Sequence, residues 1–269
     1  MKISCLPVTF FGPIFRDKTM TREDWFKIAA EVGLDGTEIY ETWVDGMDDA
    51  QISKLGAFAK SAGIAVSMFS CENNFAGPKE TEVATEQVRR SVDAAVLFGC
   101  DVVRVTAVTP FGETRMDWKA AEKLDRNELV KNSAMGLKGC LDYAEESGVH
   151  LALEDHPIIG SFVEEYMTIL ELVDDDRLKV NFDTSNFSPD TIVDFARQVA
   201  DRVVHTHIKD RLENDHAVYM GKGEVDFEAI FGHLKAAGYD RWLSLEVMGG
   251  GRDKLEADYD YITGLWNKP

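Results

Sequence analysis

Residues Leu151 to Pro157 read Leu-Ala-Leu-Glu-Asp-His-Pro, a short apolar run that ends in two carboxylates and an imidazole. Three later runs end in a similar way: Lys179–Asp183 (K-V-N-F-D), Val203–His207 (V-V-H-T-H) and Trp242–Glu246 (W-L-S-L-E). Each run has the length of a buried strand and ends at a residue able to bind a divalent metal. These metal-binding residue types are Glu154, Asp183, His207 and Glu246. We expect them to meet at the mouth of a barrel that the rest of the chain supports.

Strand-like runs alternate with amphipathic segments along the whole chain. Five amphipathic segments end at glycine, the residue that commonly closes a helix, and a strand-like run begins soon afterwards. The predicted strands are Ile3–Val8, Gly36–Ile39, Ala65–Phe69, Val102–Thr106, Leu151–Glu154, Lys179–Phe182, Val203–His207 and Trp242–Glu246. Eight such units predict an α/β fold, a single-domain (β/α)8 TIM barrel over residues 1–269. An open doubly wound sheet is the alternative, and no G-x-G-x-x-G follows the first strand to favour it.

The composition restricts the classes of partner. The 29 basic and 48 acidic residues give a net charge of −19, which disfavours nucleic acid and anionic membrane surfaces but not a small sugar or a cation. The four cysteines form no C-x-x-C pair, as expected for reduced thiols, and no run reaches the length of a membrane span. We therefore expect a cytoplasmic protein that binds a small molecule.

The four strand-end residues form a ligand set that suits one divalent ion. Three carboxylates and one imidazole suit Mn²⁺, which we expect first, or Mg²⁺, Co²⁺ or Zn²⁺. A single such carboxylate is commonly a helix cap or half of a salt bridge. Several acids buried together, however, are costly unless a cation compensates them.

Other polar residues near the strand ends have two interpretations each. His156 is placed to touch a substrate hydroxyl or is an ordinary loop histidine, and Asn186 is either a site amide or a helix cap. His205 shares a strand face with His207, so it is a second ligand or, as we favour, a core histidine one layer deeper. Glu38 and Arg104 are charges inside strands that pair with each other or with the site.

The runs L-A-L-E-D-H, N-F-D-T-S-N, H-T-H-I-K-D, G-K-G-E-V-D-F and L-S-L-E resemble those of the xylose isomerase-like barrel family. That family includes sugar phosphate isomerases and epimerases, ketose 3-epimerases, hydroxypyruvate isomerases, inosose dehydratases and endonucleases of the endonuclease IV type. The resemblance implies that the four strand-end residues bind the metal and that His156 and Arg211 lie near the substrate. The endonucleases match poorly, because Glu38 and Met68 stand on strands where they have histidines.

The resemblance implies an isomerase or epimerase that acts on a ketose or related keto-sugar through a metal-stabilised enediolate. Glu154 and Glu246 would move the proton while they also touch the metal. The alternative is a metal-dependent dehydratase of a keto-polyol or keto-sugar, similar to inosose dehydratase. The family also suggests a homodimer or homotetramer. Residues 106–125, with Phe111 and Trp118, either cover the pocket or meet a neighbouring subunit.

Overall fold

Eight parallel strands form one sheet that curls into a nearly closed barrel in the computed structural model, which describes residues 1–111, 115–213 and 215–268. The strands are β1 (Lys2–Leu6), β2 (Gly36–Tyr40), β3 (Ala65–Ser70), β4 (Val102–Val105), β5 (His150–Glu154), β6 (Leu178–Asp183), β7 (Val203–Ile208) and β8 (Trp242–Glu246). Their order is β1-β8-β7-β6-β5-β4-β3-β2. The predicted TIM barrel is therefore confirmed.

Helices connect the strands and surround the sheet. They are α1 (Val8–Phe11), α2 (Arg22–Val32), α3 (Asp49–Ser61), α4 (Pro78–Phe98), α5 (Trp118–Ala121), α6 (Arg126–Lys138), α7 (Leu141–Glu146), α8 (Val163–Val173), α9 (Pro189–Val199), α10 (Phe227–Ala236) and α11 (Gly251–Trp266), with a π-helical turn at Gly12–Arg16 and 3-10 turns at Glu41–Trp43 and Ala200–Arg202. Val8, predicted as the end of the first strand, begins α1 instead. Pro7 precedes it and has no N–H to donate to a ladder, so the strand stops there.

The helix ends follow from local sequence. Thr21 and Asp24 form a capping box at the start of α2, in which each side chain accepts from the other residue's backbone N–H. Gly33 closes the same helix in the left-handed region at φ +94°.

None of the described helices is long and apolar enough to cross a membrane. The four cysteines are buried and unpaired, as predicted from their spacing.

The ring closes differently on the two sides of β1. On one side β1 pairs in parallel with β8, from Lys2↔Trp242 to Leu6↔Glu246. On the other side the contact with β2 uses a few separate hydrogen bonds. The backbone N–H of Ile3 donates to Asp35 Oδ2 at 2.8 Å, and the Thr37 hydroxyl donates to the Cys5 carbonyl at 3.1 Å. We call this contact between β1 and β2 the seam.

The barrel interior is apolar at one level and polar above it. Met68, Val102, Ala152 and Val204 form a small apolar cluster inside the ring. Side chains two residues apart on a strand share a face, so Arg104 and Glu154 lie directly above Val102 and Ala152. The apolar layer closes the bottom of the barrel, and polar side chains collect near the carboxyl ends of the strands, where function is found in such barrels.

Two glycines test how tightly the helices pack. A Cβ built on Gly136 of α6 would lie 2.2 Å from the buried Phe75 ring, whereas one on Gly232 of α10 has nothing within 4 Å. We expect Gly136→Ala to lower the free energy of unfolding by about 1–3 kcal/mol through overpacking. Gly232→Ala should raise it by up to about 1 kcal/mol, because alanine favours the helix. Urea unfolding measures both, and equal effects would contradict the packing described.

Candidate metal centre

The four strand-end side chains converge. One ligand atom from each of Glu154, Asp183, His207 and Glu246 lies within 4.8 Å of the others. His207 Nδ1 stands 2.5 Å from Glu154 Oε1, 3.6 Å from Glu246 Oε2 and 3.9 Å from Asp183 Oδ2. The first three residues are almost fully buried, and the Glu246 side chain is 13% exposed. The site therefore opens at Glu246.

Backbone irregularities help to aim these side chains. The register between β2 and β3 shifts between Thr37 and Glu38, and that between β6 and β7 shifts between Val180 and Asn181. Such shifts bend a strand and redirect the residues that follow. The extra residues are Ser67 on β3 and Val204 on β7, and the second of them lies three residues before His207.

An ammonium group and a buried acid flank the cluster. Lys209 Nζ lies 2.8 Å from both Asp183 Oδ2 and Glu246 Oε2, so the lysine balances two of the acids. Burial would lower the pKa of Lys209, but Asp183 and Glu246 raise it above its ordinary value. Asp155 Oδ1 accepts from the backbone N–H of Asp183 at 3.1 Å. Burial and the neighbouring Asp183 raise the pKa of Asp155 well above its usual range, which favours the protonated carboxyl.

Glu154 is held from the side by a buried guanidinium. Arg104 Nη1 donates to Glu154 Oε2 and Nη2 donates to Glu72 Oε1, each at 2.6 Å. Burial alone would raise the pKa of Glu154, but Arg104 and His207 hold it well below its usual value. Arg104 thus pairs with the site, one of the two arrangements that the sequence left open. Glu72 was missed, although it follows β3 by two residues and the spacing resembles that of the other acids.

Glu38 lies beneath His207. Its Oε2 is 3.1 Å from His207 Nε2 and its Oε1 is 3.0 Å from His205 Nε2. Burial would lower the pKa of His207, but Glu38 and Glu154 raise it well above its ordinary value. Glu38 therefore also pairs with the site. His205 occupies the deeper position that the sequence analysis favoured over a second ligand role.

The three predicted substrate residues lie around the mouth. His156 is 9% exposed, with Nε2 3.8 Å from Glu154 Oε2 and Nδ1 3.2 Å from the Thr109 hydroxyl. Asn186 Nδ2 donates to the Asp155 carbonyl at 2.6 Å. Arg211 Nη1 donates to the Ser185 carbonyl at 3.1 Å, so this guanidinium braces the loop after β6. Their contact with a substrate stays a prediction.

The segment after β4 reaches the same mouth. The Phe111 ring meets the His156 ring edge-on, with 5.5 Å between centroids. Phe111 and Trp118 are both about half exposed. Residues 112–114 of the predicted cover at 106–125 lie outside the described residues. Phe111 accordingly forms part of the wall beside His156.

Comparisons with known proteins point to one family. A family model described as a xylose isomerase-like TIM barrel matches residues 26–264. An inosose dehydratase of Clostridium perfringens is 23% identical over 274 residues, covering 92% of this chain and 90% of that protein. An uncharacterized protein of Methanocaldococcus jannaschii, MJ1311, is 25% identical, but the match spans only 45% of this chain and 44% of that protein.

Solved structures share the architecture. D-psicose 3-epimerase of Clostridium cellulolyticum H10, solved with D-tagatose, superposes with a TM-score of 0.80 at 18% identity, and the match covers 100% of both chains. The IOLI protein, solved with a bound zinc atom, gives a TM-score of 0.74 at 17% identity and covers 99% of this chain and 98% of that one. At these identities the likeness shows the fold alone.

Arg104 should be essential to the stability of the ion-free protein. Arg104→Met leaves Glu72 and Glu154 buried without their shared cation, so we expect the free energy of unfolding to fall by about 3–5 kcal/mol. Urea unfolding in the presence of a chelator measures the loss. Adding Glu72→Gln to this variant should restore part of it.

The matched control is Arg197→Met on α9. Arg197 pairs with Asp194 at 2.6 Å, but both side chains are 60% exposed. Exposed pairs contribute about 0–1 kcal/mol, so this variant should unfold close to the parent. Similar losses in the two variants would show that the buried Arg104 pairs do not carry the stability assigned to them.

Proposed function

The chain belongs to the xylose isomerase-like TIM barrel family, and from this premise we propose that it is a divalent-metal-dependent isomerase or epimerase of a ketose or related keto-sugar. One observation carries the proposal: Glu154 and Glu246 approach the same nitrogen of His207, together with Asp183. Two glutamates beside one ion-binding cluster can exchange a substrate proton from two directions.

The donor set fits a divalent ion. Glu154, Asp183 and Glu246 supply carboxylate oxygens and His207 an imidazole nitrogen, all within reach of one centre. This combination is compatible with Mn²⁺, which we propose first, and also with Mg²⁺, Co²⁺ or Zn²⁺. When bound, the ion would supply Lewis acidity that polarises the substrate carbonyl and acidifies the adjacent C–H.

The protein's own groups move the proton. Glu246 is the most exposed of the four, so it is the glutamate that meets substrate first and removes the proton next to the carbonyl. Glu154, with its Oε2 2.6 Å from Arg104, serves the other side: it takes a proton from solvent and delivers it to the substrate carbon, while Glu246 releases the removed proton to solvent. Return to the same carbon gives an epimer, and return to the neighbouring carbon gives the aldose–ketose isomer. His156 beside the Phe111 ring bounds the pocket and holds a substrate hydroxyl.

Dehydration is the second candidate, and a specific observation favours it. Lys209 and His156 place two nitrogens near the carboxylates, and each can deliver a proton to a departing hydroxyl. After proton removal next to the carbonyl, the β-hydroxyl would leave as water and a C=C bond would form. The Clostridium perfringens relative is an inosose dehydratase, which agrees with this outcome.

Metal content tests the common basis of both reactions. We expect about one divalent ion per chain in the parent after loading with Mn²⁺ and desalting, measured by elemental analysis. His207→Ala and Glu246→Gln each remove one donor and should retain much less. Glu256→Gln is the control, because this exposed carboxylate of α11 pairs with Arg252 away from the site. A parent that also refuses Co²⁺ and Zn²⁺ would contradict the proposal.

Deuterium exchange then separates the reactions. Ketoses and keto-polyols are incubated with metal-loaded protein in D₂O and followed by NMR and mass spectrometry. An isomerase or epimerase exchanges one C–H proton and forms a stereoisomer or positional isomer with the same carbon and oxygen atoms. A dehydratase forms a product lighter by one water. Glu246→Gln should abolish exchange in either case, and exchange at the parental rate would exclude Glu246 as the base.

A further inference from the structure

Glu38 is surrounded by hydrogen-bond donors inside the barrel. It is fully buried on β2 and contacts His205, His207 and the Ser244 hydroxyl, with the Ser70 hydroxyl 3.3 Å from Oε2. An ionised carboxylate can only accept hydrogen bonds, so each of these neighbours has to donate. Both histidines therefore carry a proton on the ring nitrogen Nε2 that faces Glu38.

This arrangement decides which nitrogen of His207 is free for an ion. The ring has two nitrogens, and a neutral imidazole carries its proton on one of them. Glu38 Oε2 holds the proton on Nε2, at 3.1 Å. Nδ1 donates its own proton to the Glu154 carboxylate, with 2.5 Å between Nδ1 and Oε1. An ion would replace this proton, so Nδ1, which faces Glu154, Asp183 and Glu246, is the nitrogen left to supply a lone pair.

We propose that Glu38 is a positioning residue that fixes the His207 tautomer and so presents Nδ1 to the divalent ion. The inference rests on the proposed function, because it assumes that an ion binds at the four strand-end residues. Metal-ligating histidines commonly donate their second N–H to a carboxylate, which orients the ring and strengthens the ligand. Glu38 takes this role from β2, a strand that supplies none of the four proposed ligands.

His205 holds Glu38 in place. Its Nε2 donates to Oε1, the second oxygen of the carboxylate, at 3.0 Å. Its Nδ1 is buried and has no hydrogen-bond partner among the described residues. A proton on Nδ1 would therefore be buried without an acceptor, which is costly. His205 is thus restricted to the tautomer that donates to Glu38, and the carboxylate cannot rotate without losing this bond.

A second ion at Glu38, His205 and His207 is the competing interpretation. One ligand atom from each of the three also lies within 4.8 Å of the others, and two imidazoles with one carboxylate form a known iron-binding set. An ion there would displace both Nε2 protons and would make His207 a ligand through both nitrogens. The Ser244 and Ser70 hydroxyls also donate to the Glu38 carboxylate. Glu38 is thus surrounded by donors, which favours its role as a hydrogen-bond acceptor over that of a ligand.

Glu38→Gln tests the proposal without an activity assay. The amide keeps one acceptor oxygen and replaces the other with a donor, so it cannot accept from both histidines. We expect Zn²⁺ to bind about 10–100 times more weakly, as found for changes to the outer partners of metal ligands. Competition with a chromophoric chelator measures the affinity. Glu41→Gln is the control, since this partly buried carboxylate accepts from the Gln87 amide at 2.7 Å and its loss should leave the affinity unchanged.

The His207 tautomer provides a readout that requires no variant to fold. Long-range proton–nitrogen NMR of the Zn²⁺-loaded parent should show His207 with its proton on Nε2 and the ion on Nδ1. The opposite assignment would overturn the inference. So would an unchanged Zn²⁺ affinity in a folded Glu38→Gln protein.

Stoichiometry separates the remaining outcomes. A parent that binds one ion leaves Glu38 as a positioning residue. Two ions per chain, one of them lost in both Glu38→Gln and His205→Asn, would make Glu38 a ligand and overturn the inference while the proposed function stands. A parent that binds no ion would overturn the proposed function first, and this inference with it.

Discussion

The main constraint on this barrel is that six carboxylates near its mouth are removed from water, so that the protein itself has to compensate their charge. An unpaired buried charge costs several kcal/mol, so each acid must find a cation, a donor or a proton. The protein solves this with two connected groups. One runs from Glu72 through Arg104, Glu154 and His207 to Glu38, and the other joins Asp183 and Glu246 through Lys209. Asp155 is the sixth acid; burial and Asp183 raise its pKa, and its Oδ1 accepts from the backbone N–H of Asp183.

This charge arrangement connects the scaffold to the proposed chemistry. A divalent ion at the four strand-end residues would compete with Lys209 for two carboxylates and with the His207 proton for Nδ1. The protein can thus remain folded before the ion arrives, because its own cations already compensate the acids. Lys209, which bonds two of these carboxylates, is also one of the two groups that favour the dehydratase candidate.

The fold and the four candidate ligands could be predicted because their signals are local. The polar residue that closes a strand-like run, such as Glu154 or His207, can be read directly from the sequence. The alternation of strands and helices indicates the barrel. The partners of Glu38 and Arg104 could not be resolved, because they depend on which strands face each other across the interior. Glu72 escaped detection because it lies in a loop beyond its strand. The two register shifts, which insert one extra residue in β3 and one in β7, cannot be recognised from the hydrophobic pattern.

The seam between β1 and β2 suggests a second role for the Glu38–His207 contact, which is to connect strands on the two sides of the seam. Neighbouring strands elsewhere in the ring are joined by a ladder, but at the seam a few separate bonds replace it. Glu38 belongs to β2 and His207 to β7, and on the seam side β1 and β8 lie between them. Their hydrogen bond therefore joins β2 to β7 across the barrel interior, on the side of the ring where β1 and β2 share no ladder. Opening of the barrel at the seam would separate Glu38 from His207, so the rate at which β2 amide protons exchange with solvent would report on whether this hydrogen bond is intact.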